Sequence, residues 1–232
     1  MIASQFGYGR SPSSIITNNL LLYLDAGNTA SYPGSGTTWT DLSSNANNAT
    51  SLTGVTYSSL NKGYLSFNGS TGSGSLVSSK YNTPYTGKTI FVAGNLSSIT
   101  ATNFRAMLGS SADSRNFNFY MYSPANNRYQ FHYSAGGAGG FSSDLTYTPG
   151  NWFTGAVTQN TNGSVNYYFN GQLVSTDTNT FSQYLSPSTE FVGRADNYWN
   201  GPLSVITVYK SELSASEILA NHNAVRGRYG LS

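Results

Sequence analysis

The sequence predicts an all-β chain: two antiparallel sheets packed as a sandwich, closed by one short C-terminal helix. Three observations carry this. Short apolar and aromatic runs recur from Gly54 to Tyr209, separated by clusters of Gly, Ser, Asn and Thr, a spacing that suits many short strands rather than helices. Two Asn-Gly pairs, Asn162-Gly163 and Asn170-Gly171, bracket Val165 to Phe169; a tight hairpin turn needs positive φ at its centre, which Asn and Gly tolerate. One stretch, Leu213 to Gly227, holds helix start and stop signals, and nothing comparable occurs elsewhere.

Taken in order, residues 1–17 are polar, Gly- and Ser-rich and aperiodic. They read either as a frayed terminus or as an arm that orders against a neighbouring subunit through Phe6, Tyr8, Arg10, Ile15 and Ile16. Residues 18–232 form one domain without internal repeats. Leu20 to Leu24 is the first strand. Asn28 to Thr50 is a long irregular loop, with Trp39 and Leu42 as inward anchors; loops of this length are usually functional or pinned. Strands follow at Tyr64–Phe67, Gly74–Ser79, Thr89–Leu96, Arg105–Gly109, Asn116–Tyr122 and Arg128–Tyr133. In Phe117 to Tyr122, odd positions make one apolar face and even positions one polar-aromatic face. Ser134 to Ser143, with Gly136, Gly137, Gly139 and Gly140, reads as a flexible loop.

Trp152 to Ser175 is a three-strand meander, and Glu190 to Arg194 is one further strand. Leu203 to Tyr209 is apolar on both faces, which suits a central strand covered on each side. Ser214 and Glu217 form a capping box, with Leu213 and Ile218 as the hydrophobic staple. The helix runs from Ala215 to Val225, with Gly227 turning the chain beyond it.

Composition narrows the function. The 232 residues suffice for one sandwich with a sizeable core. The absence of cysteine excludes disulfides and thiolate metal sites. The N-terminus lacks the apolar run of a signal peptide, which predicts folding in the cytoplasm, and no run is long enough to span a membrane. Charged residues make up 9% of the chain, against about 25% in ordinary domains. The eleven Lys and Arg are scattered and the net charge is +2, so the basic stripe of a nucleic-acid binder is missing. Eighteen Tyr and twelve Phe, set among Asn, Ser and Gly, instead offer rigid rings beside adaptable hydrogen-bonding groups.

Three stretches carry a resemblance: Leu21 to Asn28 (LLYLDAGN) continuing through Ser31 to Ser43 (SYPGSGTTWTDLS), Gly63 to Gly69 (GYLSFNG), and the closing Asn197 to Ser232, with its strand ending in Val208-Tyr209 before Leu213 to Ile218 (LSASEI). In order and spacing this resembles the concanavalin A-like lectin/glucanase superfamily, in its laminin-G-like branch, across nearly the whole chain after residue 18. The wording of the first stretch and the closing NAVRGRYGL resemble domains of tailed-phage virion proteins. The resemblance implies a jelly-roll sandwich on a virion surface, as capsid decoration or as a fibre or collar component. Implied partners are capsid or tail proteins and copies of the same chain.

The superfamily includes glycoside hydrolases, which need two carboxylates about 5–5.5 Å apart for retaining hydrolysis. No two of the nine acids stand at i, i+2 or i, i+4 within a strand, so the glucanase motif is missing and a non-enzymatic role is expected. His132 and His222 are isolated, and two histidines without cysteine make a poor zinc site. No cofactor is expected. Calcium is the best of the metal candidates, with Asp25 and Asn68 as weak ligands. Asp25 and Asp41 read better as turn caps. A glycan site needs rings for sugar C–H faces and polar groups for hydroxyls; the densest cluster is Arg194, Asp196, Asn197, Tyr198, Trp199 and Asn200, between two strands. The favoured expectation is a non-enzymatic virion surface protein. The alternative is an adhesin that binds host glycan through residues 194–200, with a glycoside hydrolase third.

Overall fold

The computed structural model describes residues 14–76, 87–110, 118–135, 138–181 and 189–232. In chain order its strands are β1 (Leu20–Asp25), β2 (Thr50–Thr53), β3 (Val55–Ser58), β4 (Tyr64–Asn68), β5 (Ser73–Leu76), β6 (Lys88–Asn95), β7 (Asn103–Ser110) and β8 (Asn118–Ser123). There follow β9 (Gln130–Ala135), β10 (Ala138–Phe141), β11 (Trp152–Gln159), β12 (Val165–Phe169), β13 (Gln172–Asp177), β14 (Glu190–Val192) and β15 (Asn200–Tyr209), then helix α1 (Ala215–Val225). Among the described residues they make two antiparallel sheets. The first runs β13-β12-β11-β6-β15-β4-β3, with β1 also on β15; the second runs β10-β9-β8-β7-β14-β5-β2.

The sandwich is assembled around β15. Its first half pairs with β4 (Leu203 opposite Leu65), its second half with β1 (Ile206 opposite Leu24), and its other edge with β6. Seven consecutive residues, Leu203 to Tyr209, are buried because both faces are covered. Inward, Leu203, Ile206 and Val208 meet the main core with Trp39, Phe67, Phe119, Phe131, Phe153 and Trp199. Outward, Val205 and Tyr209 join Phe91, Ala93, Ala156 and Tyr168 beneath α1, which lays Ile218 and Val225 on them. The first sheet is therefore a middle layer, which explains why β6 and β15 lack the in–out alternation of a half-exposed strand.

The helix bounds match those read from the sequence, and the box is formed: Glu217 N–H donates to Ser214 Oγ, and Ser214 N–H donates to Glu217 Oε2 at 2.8 Å. Leu213 and Ile218 are both buried. Gly227 does not turn the chain. The helix tightens into a 3-10 turn over Arg226–Arg228, and the left-handed residue is Gly230 (φ 67°), with Leu231 N–H bonded back to the Arg226 carbonyl.

Ile15 and Ile16 also depart from the docking role. Ile15 is 7% exposed, inserted between α1 and the first sheet. Ile16 N–H donates to Asn221 Oδ1 (2.8 Å), its carbonyl accepts from the Tyr209 hydroxyl (3.0 Å), and Asn221 Nδ2 donates to that hydroxyl (3.0 Å). These two residues are anchors for their own chain, while Phe6, Tyr8 and Arg10 lie outside the described residues. Among the described residues no helix is long and apolar enough to cross a membrane.

Further differences have local causes. Trp39 is fully buried as read, but Leu42 is half-buried, and the neighbouring Asp41 takes the structural role. Two short strands between the long loop and β4, β2 and β3, were not read individually from the sequence, each being only four residues long. The Gly-rich stretch after Ser134 is also a strand in part: β10 pairs with β9, Gly139 opposite Ser134 and Phe141 opposite His132.

Candidate functional site

The second sheet turns one face to the core and the other outward, and register decides which side chains meet there. On β8 and β9, Phe119, Met121, Phe131 and Tyr133 point into the core, so Asn118, Tyr120, Tyr122, His132 and Ser134 point out. Three cross-strand rows result. Phe104 lies opposite Tyr122, which lies opposite Gln130. Ala106, Tyr120, His132 and Phe141 form the second row, and Asn118, Ser134 and Gly139 the third. Directly opposed side chains in a sheet touch, and these do: Phe104 stacks on Tyr122 (centroids 4.4 Å, 24°) and meets His132 at 5.1 Å, while His132 meets Phe141 at 4.5 Å. Phe141 remains 44% exposed.

A loop from β14 to β15 overhangs this face. Gly193, at φ 74°, donates to the Met107 carbonyl (2.9 Å), and its own carbonyl accepts from Trp199 N–H (2.8 Å). Arg194 and Tyr198 bridge the base of the loop. Trp199 is fully buried, its indole N–H on the Pro202 carbonyl (3.2 Å). Ala195 packs on Ala106 and Tyr120. The loop is thus pinned from below, and its tip, Asp196 and Asn197, stands over the rows.

Together Phe104, Asn118, Tyr120, His132, Ser134, Ala138, Gly139, Asp196 and Asn197 line an open groove of about 290 Å³, near the small end of ligand clefts. Gly139 keeps it open, since a Cβ there would stand 2.8 Å from His132 Nε2. Burial pushes the His132 imidazole down to about 4, leaving it neutral at physiological pH. Burial, and secondarily the Asp196 charge, raise the Tyr120 phenol well above its ordinary value, so it keeps its O–H as a donor.

Of the six residues read from the sequence as a glycan loop, the groove takes Asp196 and Asn197. Trp199 offers no stacking face because it serves the core. The Arg194 guanidinium lies over the Phe191 and Tyr198 rings at 4.7 and 5.2 Å, and Asn200 Nδ2 donates to Ser98 Oγ. Sequence reasoning missed Phe104, Asn118 and His132; the alternation of ring and polar residues at 118–122 and 130–134 was the signal. Tyr133, on the opposite face, is buried and donates to Gln159 Oε1 (2.9 Å). A second depression, about 530 Å³, is lined in part by Asn151, Trp152, Asn170 and Tyr229. There the Trp152 ring already stacks on Tyr229 (4.2 Å, 16°) and meets Tyr64 edge-on.

The weak calcium ligands are otherwise engaged. Asp25 takes both guanidinium nitrogens of Arg228 (2.6 and 2.8 Å), plus Gly27 N–H and the Tyr23 hydroxyl. Asn68 Oδ1 accepts from the N–H groups of Ser70, Thr71 and Gly72, which makes it a turn cap. Asp41 accepts from Tyr23, Ser43 and Asn47 N–H groups. Among the described residues no group of three or more His, Cys, Asp or Glu is placed to hold a metal.

The carboxylate chemistry is dispersed as well. Asp144 pairs with exposed Arg128, Glu217 caps α1, and Asp113 lies outside the described residues. Glu190 is 1% exposed in the interior, where burial raises its carboxyl and the Lys88 charge opposes that rise. Perturbed carboxyls often mark sites, but this one is enclosed between the sheets. Among the described residues lining the groove, Asp196 is the one carboxylate.

Comparison with known proteins agrees with this architecture. No curated protein matches the chain. Among solved structures, the chain is similar to Trypanosoma rangeli sialidase (15% identity, TM-score 0.65), over 92% of this chain and 34% of that one. It is also similar to a structure described as showing that cell entry of botulinum neurotoxin type C depends on interaction with two ganglioside molecules (15%, TM-score 0.68, 90% of this chain and 52% of that one). A third similarity is to the binding domain of botulinum neurotoxin DC in complex with SialylT (14%, TM-score 0.68, 90% and 52%). The chain thus spans about a third to a half of these structures, and at such identity the likeness is one of fold, which serves an enzyme in one case and binding domains in others. A family model described as the concanavalin A-like lectin/glucanases superfamily matches residues 97–219, more than half of the sequence. With two antiparallel sheets, a single C-terminal helix and that match, the chain belongs to the concanavalin A-like lectin/glucanase superfamily.

Proposed function

We propose that this domain is a carbohydrate-binding module whose ligand seats on the outer face of the second sheet. The observation that supports it is the groove: aromatic rows set by strand register, beneath a pinned loop that brings a carboxylate and an amide to their edge. Rings take the C–H faces of a sugar while Asp196, Asn197, Ser134 and the Tyr120 hydroxyl take its hydroxyls. The ganglioside and SialylT contexts of two similar structures add weight to a glycan ligand. A glycan array with the purified chain and with Phe104→Ala tests the reading. Binding that drops at least tenfold in the variant, with an unchanged melting temperature, is expected; unchanged binding would move the site elsewhere.

The setting we propose is a virion surface, supported by the sequence resemblance to tailed-phage virion domains and by the low charge. Since Ile15 and Ile16 are engaged within the chain, attachment to capsid or tail neighbours falls to residues 1–13. Deletion of residues 2–13 should abolish incorporation into virions while preserving the fold, and full incorporation of that variant would discard the arm.

A further inference from the structure

Given the carbohydrate reading above, we infer that the groove selects neutral sugars and rejects those bearing a carboxylate, with Asp196 as the discriminating residue.

The first ground is the charge inventory. Among the described residues that line the groove, Asp196 is the one acid and no Lys or Arg is present. Asp196 is exposed, and the ion pairs formed among the described residues, Arg128–Asp144 and Arg228–Asp25, do not include it. Three described arginines make contacts outside the groove. Arg194 is drawn back over the Phe191 and Tyr198 rings. Arg105 donates to the Gly69 and Tyr198 carbonyls at 3.3 and 3.2 Å. Arg128 pairs with Asp144. His132 carries no charge at neutral pH, because burial disfavours its protonated form. A carboxylated sugar would therefore meet a like charge, with no Lys or Arg among the described residues that line the groove to receive it.

The second ground is hydrogen-bond polarity. An ionised carboxylate only accepts, and two oxygens side by side suit two neighbouring hydroxyls of one ring. Asn118 Oδ1 is already taken by Ser110 N–H (2.7 Å), and its amide donates to Ser134 Oγ (3.3 Å), which leaves the Ser134 proton free for a ligand oxygen. The Tyr120 hydroxyl can donate as well. The groove therefore offers two hydroxyl donors, the Asn197 amide, which donates and accepts, and one anionic acceptor over an aromatic floor. That set matches a neutral pyranose, whose hydroxyls both donate and accept, while the Asp196 carboxylate repels an anionic group.

The test is a glycan array that pairs each neutral oligosaccharide with its sialylated counterpart, probed with the wild type and with Asp196→Asn. The expected result is wild-type preference for the neutral member of each bound pair by roughly tenfold or more, since like-charge contacts penalise wrong partners strongly. Asp196→Asn should weaken neutral binding and bring the pair ratio toward one. Equal or tighter binding of the sialylated members overturns the selectivity while leaving the carbohydrate reading intact. A neutral preference that survives Asp196→Asn overturns the assignment to Asp196. An array on which no glycan binds overturns the carbohydrate reading itself.

Discussion

Consider Arg228→Met. Arg228 sits three residues beyond α1 and reaches back to Asp25 at the end of β1, placing two N–H groups on the two carboxylate oxygens at 2.6 and 2.8 Å. The pair is largely dehydrated, with side-chain exposures of 21% for Arg228 and 2% for Asp25. Removing the cation strands a carboxylate that retains only Gly27 N–H and the Tyr23 hydroxyl. Breaking such a buried pair costs about 3–5 kcal/mol. For a chain of this size, where 1 kcal/mol moves the melting temperature by about 2–4 °C, the expected fall is on the order of 10 °C. Asp25→Asn combined with Arg228→Met should cost less than the single changes summed, with a coupling of about 2 kcal/mol in a double-mutant cycle. The assay is urea or thermal unfolding followed by circular dichroism. The same experiment separates a latch from a cation site, since the latch predicts no response of the wild type to EDTA. A fall of less than about 2 °C for Arg228→Met, or additive single effects, would refute the latch.

Other consequences are equally open to measurement. Gly139→Val should cost glycan binding more than tenfold with little change in melting temperature, because its Cβ enters the space before His132 Nε2 on an exposed strand; a titration with any bound glycan reads it. Ile15→Ala should destabilise by about 2 kcal/mol, seen as a lower urea midpoint, whereas a frayed terminus would show no change. The buried imidazole of His132 adds a pH dependence. Its proton affinity in the fold, about 4, lies below the unfolded value near 6.5, so the unfolded chain binds the extra proton between these limits. Its contribution is constant above pH about 6.5 and declines as pH falls toward 4. His132→Gln should remove up to about 2–3 kcal/mol of that loss at pH 4, measured as the difference between the two stability–pH profiles.

What was legible in the sequence were features set by neighbours along the chain. The capping box of α1 spans four residues, the Asn170-Gly171 turn two, and the double-sided apolar run of β15 seven, so each could be read locally. The features that escaped are set across the chain. Ile15 finds its partners under a helix two hundred residues later, and nothing near it distinguishes an internal anchor from a docking anchor. Trp199 stands among Asp, Asn and Tyr and so reads as a sugar platform, yet the turn around Gly193 drives it into the core. β10, Ala-Gly-Gly-Phe, owes its strand conformation to the adjacent β9 rather than to its own residues. The groove shows both sides of this. The alternation at Asn118 to Tyr122 announced a polar-aromatic face, but its alignment with His132 and Phe141 is a matter of register, and its meeting with Asp196 depends on the loop before β15.

The most direct test of the central claim is an amide NMR titration of the chain with a neutral oligosaccharide chosen from the array. The expected shifts cluster at residues 104, 120, 132, 139, 141 and 196–197, and vanish in Gly139→Val. Shifts centred instead on Trp152 and Tyr229, or equal shifts in the wild type and Gly139→Val, would contradict it.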